Sequence, residues 1–195
     1  MNWKTDRLSA TYYDRAVQSP VVSRIAARLL WNYDIDHLRQ SIAAQDPSAL
    51  TLDIPCGGGI AVDKNPRHVA ADLSGTMLKR ARRKTNTLLQ ADIYALPFGP
   101  STFDACLTYN GLHCLPDPAA AIGELARVLR PGGTLRGTTI VRGAGRDPLI
   151  RVLQRQGSFG NPGTMTDLES WLTAAGLTDI DLTRSGAVTG FTARK

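Results

Sequence analysis

Residues 52–59 read Leu52-Asp53-Ile54-Pro55-Cys56-Gly57-Gly58-Gly59, and the reading of this stretch decides the fold. With Ala49 and Leu50 before it, an apolar run holding one acid leads straight into a glycine-dense turn. That is the pattern of a buried parallel strand delivering its chain into a ligand crevice. Glycine is needed where backbone takes positive φ or where a ligand approaches closer than a Cβ permits. Asp53 falls at the carboxyl end of the strand, where open α/β sheets bind ligands. A dinucleotide fingerprint, Gly-x-Gly-x-x-Gly, requires glycine at position 62, and Val62 stands there, which argues against that ligand. A glycine-rich surface turn without a ligand is the plainer alternative.

Downstream, a parallel strand pair needs a crossover, usually a helix. Only 15 residues carry the chain from Gly57 to Asp72, and Asn65-Pro66 inside them is a turn signal. The first crossover helix is therefore expected to be very short or absent. His68 to Leu73 reads as a second strand ending in an acid, with Ser74 capping a helix through Met77, Leu78 and Ala81. Leu88 to Ile93 reads as a third strand, again with an acid near its end, and Phe103 to Tyr109 as a fourth, running into Asn110-Gly111-Leu112-His113. Asp117-Pro118 opens a helix by N-cap and proline, and Arg130-Pro131-Gly132-Gly133 ends it. Thr134 to Val141 makes a fifth strand, with Arg142 and Arg146 after it where a substrate loop belongs. Thr166-x-x-Glu169 fits a capping box for a helix that Gly176 closes. Ile180–Leu182 and Val188–Phe191 then pair as a closing hairpin.

Upstream, Ser19-Pro20 starts a helix with Val21, Val22, Ile25, Ala26, Leu29 and Leu30 at helical spacing, and Asp34 opens a second that Asp46-Pro47 stops. The expected class is α/β: a Rossmann-like, mostly parallel seven-stranded sheet with a C-terminal antiparallel hairpin. Residues 1–47 form a helical cap and residues 48–195 one compact unit.

The composition agrees with a globular chain: 195 residues, 43% hydrophobic and 21% charged. No apolar run reaches membrane-spanning length and the N-terminus lacks a signal-peptide apolar region, so no membrane insertion is expected. Three cysteines (Cys56, Cys106, Cys114) without metal spacing point to a reducing cytoplasm, and no metal site is expected. The net charge of +6 is concentrated in Lys79, Arg80, Arg82, Arg83 and Lys84. Such a cluster reads first as the solvated face of a helix and second as a nucleic-acid surface.

The glycine stretch resembles the first motif of class I S-adenosylmethionine-dependent methyltransferases, in which an acid precedes Gly-x-Gly-x-Gly. Asp53, Gly57 and Gly59 match it, and Pro55 replaces the first glycine. Asp72-Leu73-Ser74-x-x-Met77-Leu78 resembles the second motif. Asp92 to Asp104, with Leu96-Pro97-Phe98 between, resembles the small-molecule branch, and Leu129-Arg130-Pro131-Gly132-Gly133 is a further match. The resemblance implies S-adenosyl-L-methionine as cofactor. It places Asp53, Gly57, Gly59, Asp72 and Leu73 around its methionine and ribose, Asp92 and Ile93 at its adenine, and Tyr109 and Asn110 beside the sulfonium.

The expected activity is methyl transfer to a small-molecule acceptor, with oxygen favoured, because a histidine such as His113 ordinarily titrates near enough to neutrality for general-base work and Asn110 opens no amino-methylating signature. A histidine merely oriented near the cofactor fits that position equally well. Tyr13, from an N-terminal segment that in this family covers the cofactor, and Arg142 are the candidate acceptor contacts. A cofactor-binding protein with little turnover, and an RNA methyltransferase using the 79–84 face, are the alternatives; nucleic acid is the less expected partner. The short crossover predicts a loop at 59–67 that orders only with ligand.

Overall fold

A computed structural model describes residues 20–62, 65–85 and 87–195, and of these the side chains from residue 22 onward. The predicted sheet is present. Seven strands lie in the order β3-β2-β1-β4-β5-β7-β6, with β1 Thr51–Asp53, β2 His68–Asp72, β3 Leu88–Gln90, β4 Phe103–Tyr109, β5 Leu129–Ile140, β6 Thr178–Ser185 and β7 Val188–Arg194. The first five run parallel and β7 pairs antiparallel to both β5 and β6. The strand order reverses at β1, between β2 and β4, which is the topological switch point where such sheets bind ligands.

Six α-helices cover the sheet among the described residues: α1 Pro20–Trp31, α2 Asp36–Ala43, α3 Gly75–Ala81, α4 Pro118–Val128, α5 Asp147–Arg155 and α6 Met165–Ala174. Alternation along the strands divides them between two faces. Leu52, Ile54 and Cys106 join Ile122 and Leu125 of α4 and Leu168 and Leu172 of α6 in one core. Leu107 and Tyr109, one and three residues beyond Cys106 and so on the other face, meet Ala27 of α1, Leu38 of α2 and Ile150 of α5 in another. Ala70 of β2 packs with Ala81 of α3 and with Val62 of the crossover.

Several elements differ from the sequence reading, and β5 begins at Leu129 rather than Thr134. The third strand stops at Gln90 rather than Ile93, because Asp92 turns the chain by accepting the Tyr94 N–H at 3.0 Å and bridging to Ala95. The capping box of α6 is Thr164 with Asp167, not Thr166 with Glu169. Thr164 Oγ1 accepts the Asp167 N–H at 3.1 Å and the Asp167 carboxylate accepts the Thr164 N–H at 2.7 Å. An aspartate reaches back as well as a glutamate here, and Thr166 already lies in the first turn. Helix α5 lies in a stretch to which the sequence reading gives no element, although its start, Asp147-Pro148, repeats the Asp-Pro signal of α4. The hairpin strands run several residues beyond the predicted spans. The short crossover is as expected: no helix stands between β1 and β2 among the described residues.

Candidate functional site

The crevice forms where the carboxyl ends of β1, β2 and β4 meet. At its floor, Gly57 and Gly59 take φ of +55° and +81°, left-handed conformations that favour glycine. Their freedom has a second use at Gly59, where a Cβ would stand 3.3 Å from Val62. The turn is tied on several sides. Cys56 N–H donates to Ala71 O at 2.8 Å, Gly57 N–H to Asp72 Oδ2 at 2.9 Å, and Lys84 Nζ donates to Gly59 O at 2.6 Å.

Pro55, which occupies the place of the motif's first glycine, is accommodated from across the crevice. A Cβ on Gly111 would come within 2.4 Å of Pro55 Cγ and 2.5 Å of its Cδ. The missing glycine at 55 is thus matched by a glycine at 111, just past the end of β4.

Asp72 is buried at the end of β2. Its Oδ1 accepts the Ser74 N–H at 2.8 Å and its Oδ2 the Gly57 N–H, which leaves acceptor capacity on both oxygens for a pair of ribose hydroxyls. Burial pushes its carboxyl above the usual range, and the two amide hydrogen bonds oppose that shift. Leu73 beside it is 50% exposed, an apolar surface at the crevice mouth suited to a heterocycle. Asp92 is exposed beyond β3 with one oxygen on Tyr94 N–H, and Ile93 is buried beneath it. These residues fit an adenosine: a glycine cradle, a buried acid for the sugar, and an apolar shelf with an exposed acid for the base.

Asp53 is buried at the end of β1, with Oδ2 3.7 Å from His68 Nε2. Burial raises its carboxyl, with His68 opposing. Tyr109 is buried too and its hydroxyl lies 3.0 Å from Ser41 Oγ of α2, so its side chain serves the α2 contact and only its backbone is left for a ligand. Asn110 follows at φ +56°, with Oδ1 accepting from Thr138 Oγ1 at 3.1 Å. Arg142 is half exposed, with Nη2 3.7 Å from Asp167 Oδ2 on the cap of α6. Tyr13 lies outside the described residues.

His113 sits in a short 3-10 turn after β4, 4% exposed. Its Nδ1 accepts the Ile140 N–H at 3.3 Å, which leaves the proton of the neutral ring on Nε2. Burial holds its pKa down at about 3. The ring is therefore a poor base and a good donor. It packs tilted on Phe159, centroids 4.5 Å apart, and Phe159 stacks on Trp31 at 5.8 Å. Trp31 ends α1 and Phe159 follows α5, so three separate elements bring one aromatic group to the carboxyl end of β5. Sequence reading missed Trp31, Phe159 and Lys84, since nothing local distinguishes them from core or surface residues.

Residues 52–136 match the family described as methyltransferase domain. That stretch is a methyltransferase domain, and the fold around it is shared with S-adenosylmethionine-dependent methyltransferases. Over 169 residues it is 32% identical to an uncharacterized chloroplastic methyltransferase of Arabidopsis thaliana, covering 75% of this chain and 47% of the relative. Over 152 residues it is 32% identical to a ubiquinone biosynthesis O-methyltransferase of Xylella fastidiosa, covering 66% and 61%. The chain thus spans about half to three-fifths of the length of these relatives. Its fold is that of a Thermotoga maritima S-adenosylmethionine-dependent methyltransferase, a possible histamine N-methyltransferase, with a TM-score of 0.71 at 16% identity over 93% of this chain and 98% of that one. The motif order, the switch-point crevice and this domain match agree on S-adenosyl-L-methionine as cofactor.

Proposed function

We propose that this chain transfers the methyl group of S-adenosylmethionine to an oxygen of a small, flat acceptor lying against Trp31, His113 and Phe159. The observation that carries the reading is that aromatic group, beside the strand ends that cradle the cofactor. Aromatic faces favour offset or tilted stacking with another ring. The bound cofactor supplies an electrophilic methyl on sulfur with a good leaving group behind it, so the protein's task is to position the partners and exclude water.

In this reading Gly57 and Gly59 let the backbone approach the methionine end, Asp72 takes the ribose, and Leu73, Asp92 and Ile93 take the adenine. His113 donates from Nε2 to the acceptor oxygen and orients it, in place of the general-base role that its residue type first indicated. A donor without basicity favours an acceptor hydroxyl that ionises readily, phenolic or enolic rather than aliphatic. The O-methyltransferase named among the relatives supports oxygen. Arg142 and Tyr13 stand as further acceptor contacts in the same proposal.

A labelled-methyl assay with phenols, aliphatic alcohols and amines tests it. Label is expected in phenols. Transfer to amines alone, or cofactor binding with no transfer to any member of the panel, would contradict it.

A further inference from the structure

Among the described residues, the crossover between β1 and β2 shows no helix of the kind that would ordinarily brace the glycine turn from behind. Lys84 stands in that position. It lies in the turn that continues α3, with its N–H on Ala81 O at 2.8 Å, and its ammonium reaches back 25 residues to Gly59 O at 2.6 Å. Sequence reading placed it in a basic cluster facing solvent, but the structure assigns this one charge an interior partner. An ammonium-to-carbonyl bond is charge-assisted and stronger than a neutral one.

The consequence lies in peptide geometry. The only cis peptide bond among the described residues is Ile54–Pro55, so the Gly59–Ile60 unit is trans and planar, with its C=O and N–H pointing in opposite directions. Holding Gly59 O toward α3 therefore aims Ile60 N–H away from α3. Among the described residues, neither Gly58 nor Ile60 N–H donates to a backbone carbonyl. Lys84 thus fixes the direction of the Ile60 N–H, and the other end of the turn is pinned by Asp72 on Gly57 N–H.

We infer that Lys84 is a positioning residue for the cofactor: by holding Gly59 O it pre-sets the Ile60 amide of the glycine turn to receive the carboxylate of the amino-acid end of S-adenosylmethionine. It does for this shortened crossover what a helix would otherwise do. The inference rests on the cofactor reading of the crevice and extends it to a residue outside the recognised motifs.

Two ligands separate this role from a merely structural one. S-adenosylhomocysteine carries the amino-acid end, and 5′-methylthioadenosine has the same nucleoside without it. Calorimetric titration of Lys84→Met is expected to show S-adenosylhomocysteine weakened tenfold or more, with methylthioadenosine within twofold of the unsubstituted chain. Lys84→Arg, which keeps a charged donor, is expected to recover most of the affinity. Hydrogen exchange in the ligand-free protein is expected to quicken at Gly57–Val62 in Lys84→Met and not at β4 or β5. Unchanged affinity for S-adenosylhomocysteine in Lys84→Met, or an equal loss for both ligands, overturns the inference. Failure of the unsubstituted chain to bind either ligand would instead bring down the cofactor reading beneath it.

Discussion

His113 shows how burial sets chemistry at a single residue. With Nδ1 accepting from Ile140 and its pKa held near 3, the folded chain keeps this imidazole neutral where the unfolded chain protonates it below about 6.5. Between those values the unfolded state binds the extra proton, so stability falls as pH falls, by up to about 1.4 kcal/mol per pH unit. The predicted outcome is that urea unfolding of the unsubstituted chain weakens from pH 6.5 toward pH 4 more steeply than that of His113→Asn. Parallel curves would show that His113 titrates normally. The carboxyls of Asp53 and Asp72 are shifted upward and act with the opposite sign, so the comparison rests on the difference between the two proteins. For Asp72 itself, Asp72→Ala is expected to weaken S-adenosylhomocysteine by at least about 1.5 kcal/mol, the scale of hydrogen bonds to a charged group. Calorimetry with an intact circular dichroism spectrum measures it. At this scale the motif acids were legible because type and spacing carry them. The fate of Asp53, Tyr109, His113 and Lys84 was not, because it depends on what other elements bring against them: His68, Ser41, Phe159 and the glycine turn.

Among the elements, α6 offers a direct check on its start. Thr164→Ala is expected to cost about 1 kcal/mol, the usual value of an N-cap, and Thr166→Ala only a few tenths. Equal effects in chemical denaturation would restore the start read from sequence. The strand end of β4 carries a sterner test. Gly111→Ala drives a methyl group into the Pro55 ring, an overpacking expected to cost about 1–3 kcal/mol. Adding Pro55→Gly, which restores the motif's usual glycine, is expected to recover part of that loss, because residues in contact do not act additively. Additive losses in the double variant would show that the two positions are not matched. Strands and capped helices were legible wherever period and cap residues agree, as for α4 and β4. Two proved harder for local reasons: β3 is cut short by a side chain that turns the backbone, and α5 hides behind a glycine-rich approach with few apolar residues.

For the molecule as a whole, the sheet order follows from the succession of strands and crossovers, and the reversal at β1 places the crevice before any side chain is considered. The two helical layers follow from alternation along β1 and β4. What no pattern foretold is how the shortened crossover is compensated, from α3 and β2 rather than from its own residues. The basic surface belongs to this scale as well. With Lys84 turned inward, Lys79, Arg80, Arg82 and Arg83 remain of the basic cluster; a salt-insensitive acceptor affinity is expected under the small-molecule proposal, and a steep salt dependence would point to nucleic acid instead. All of this stands on the crevice holding the cofactor. Calorimetric titration of the ligand-free chain with S-adenosylhomocysteine tests that most directly. A saturable one-to-one isotherm that Asp92→Ala weakens is the predicted result, and the absence of heat together with an unshifted melting temperature would contradict it.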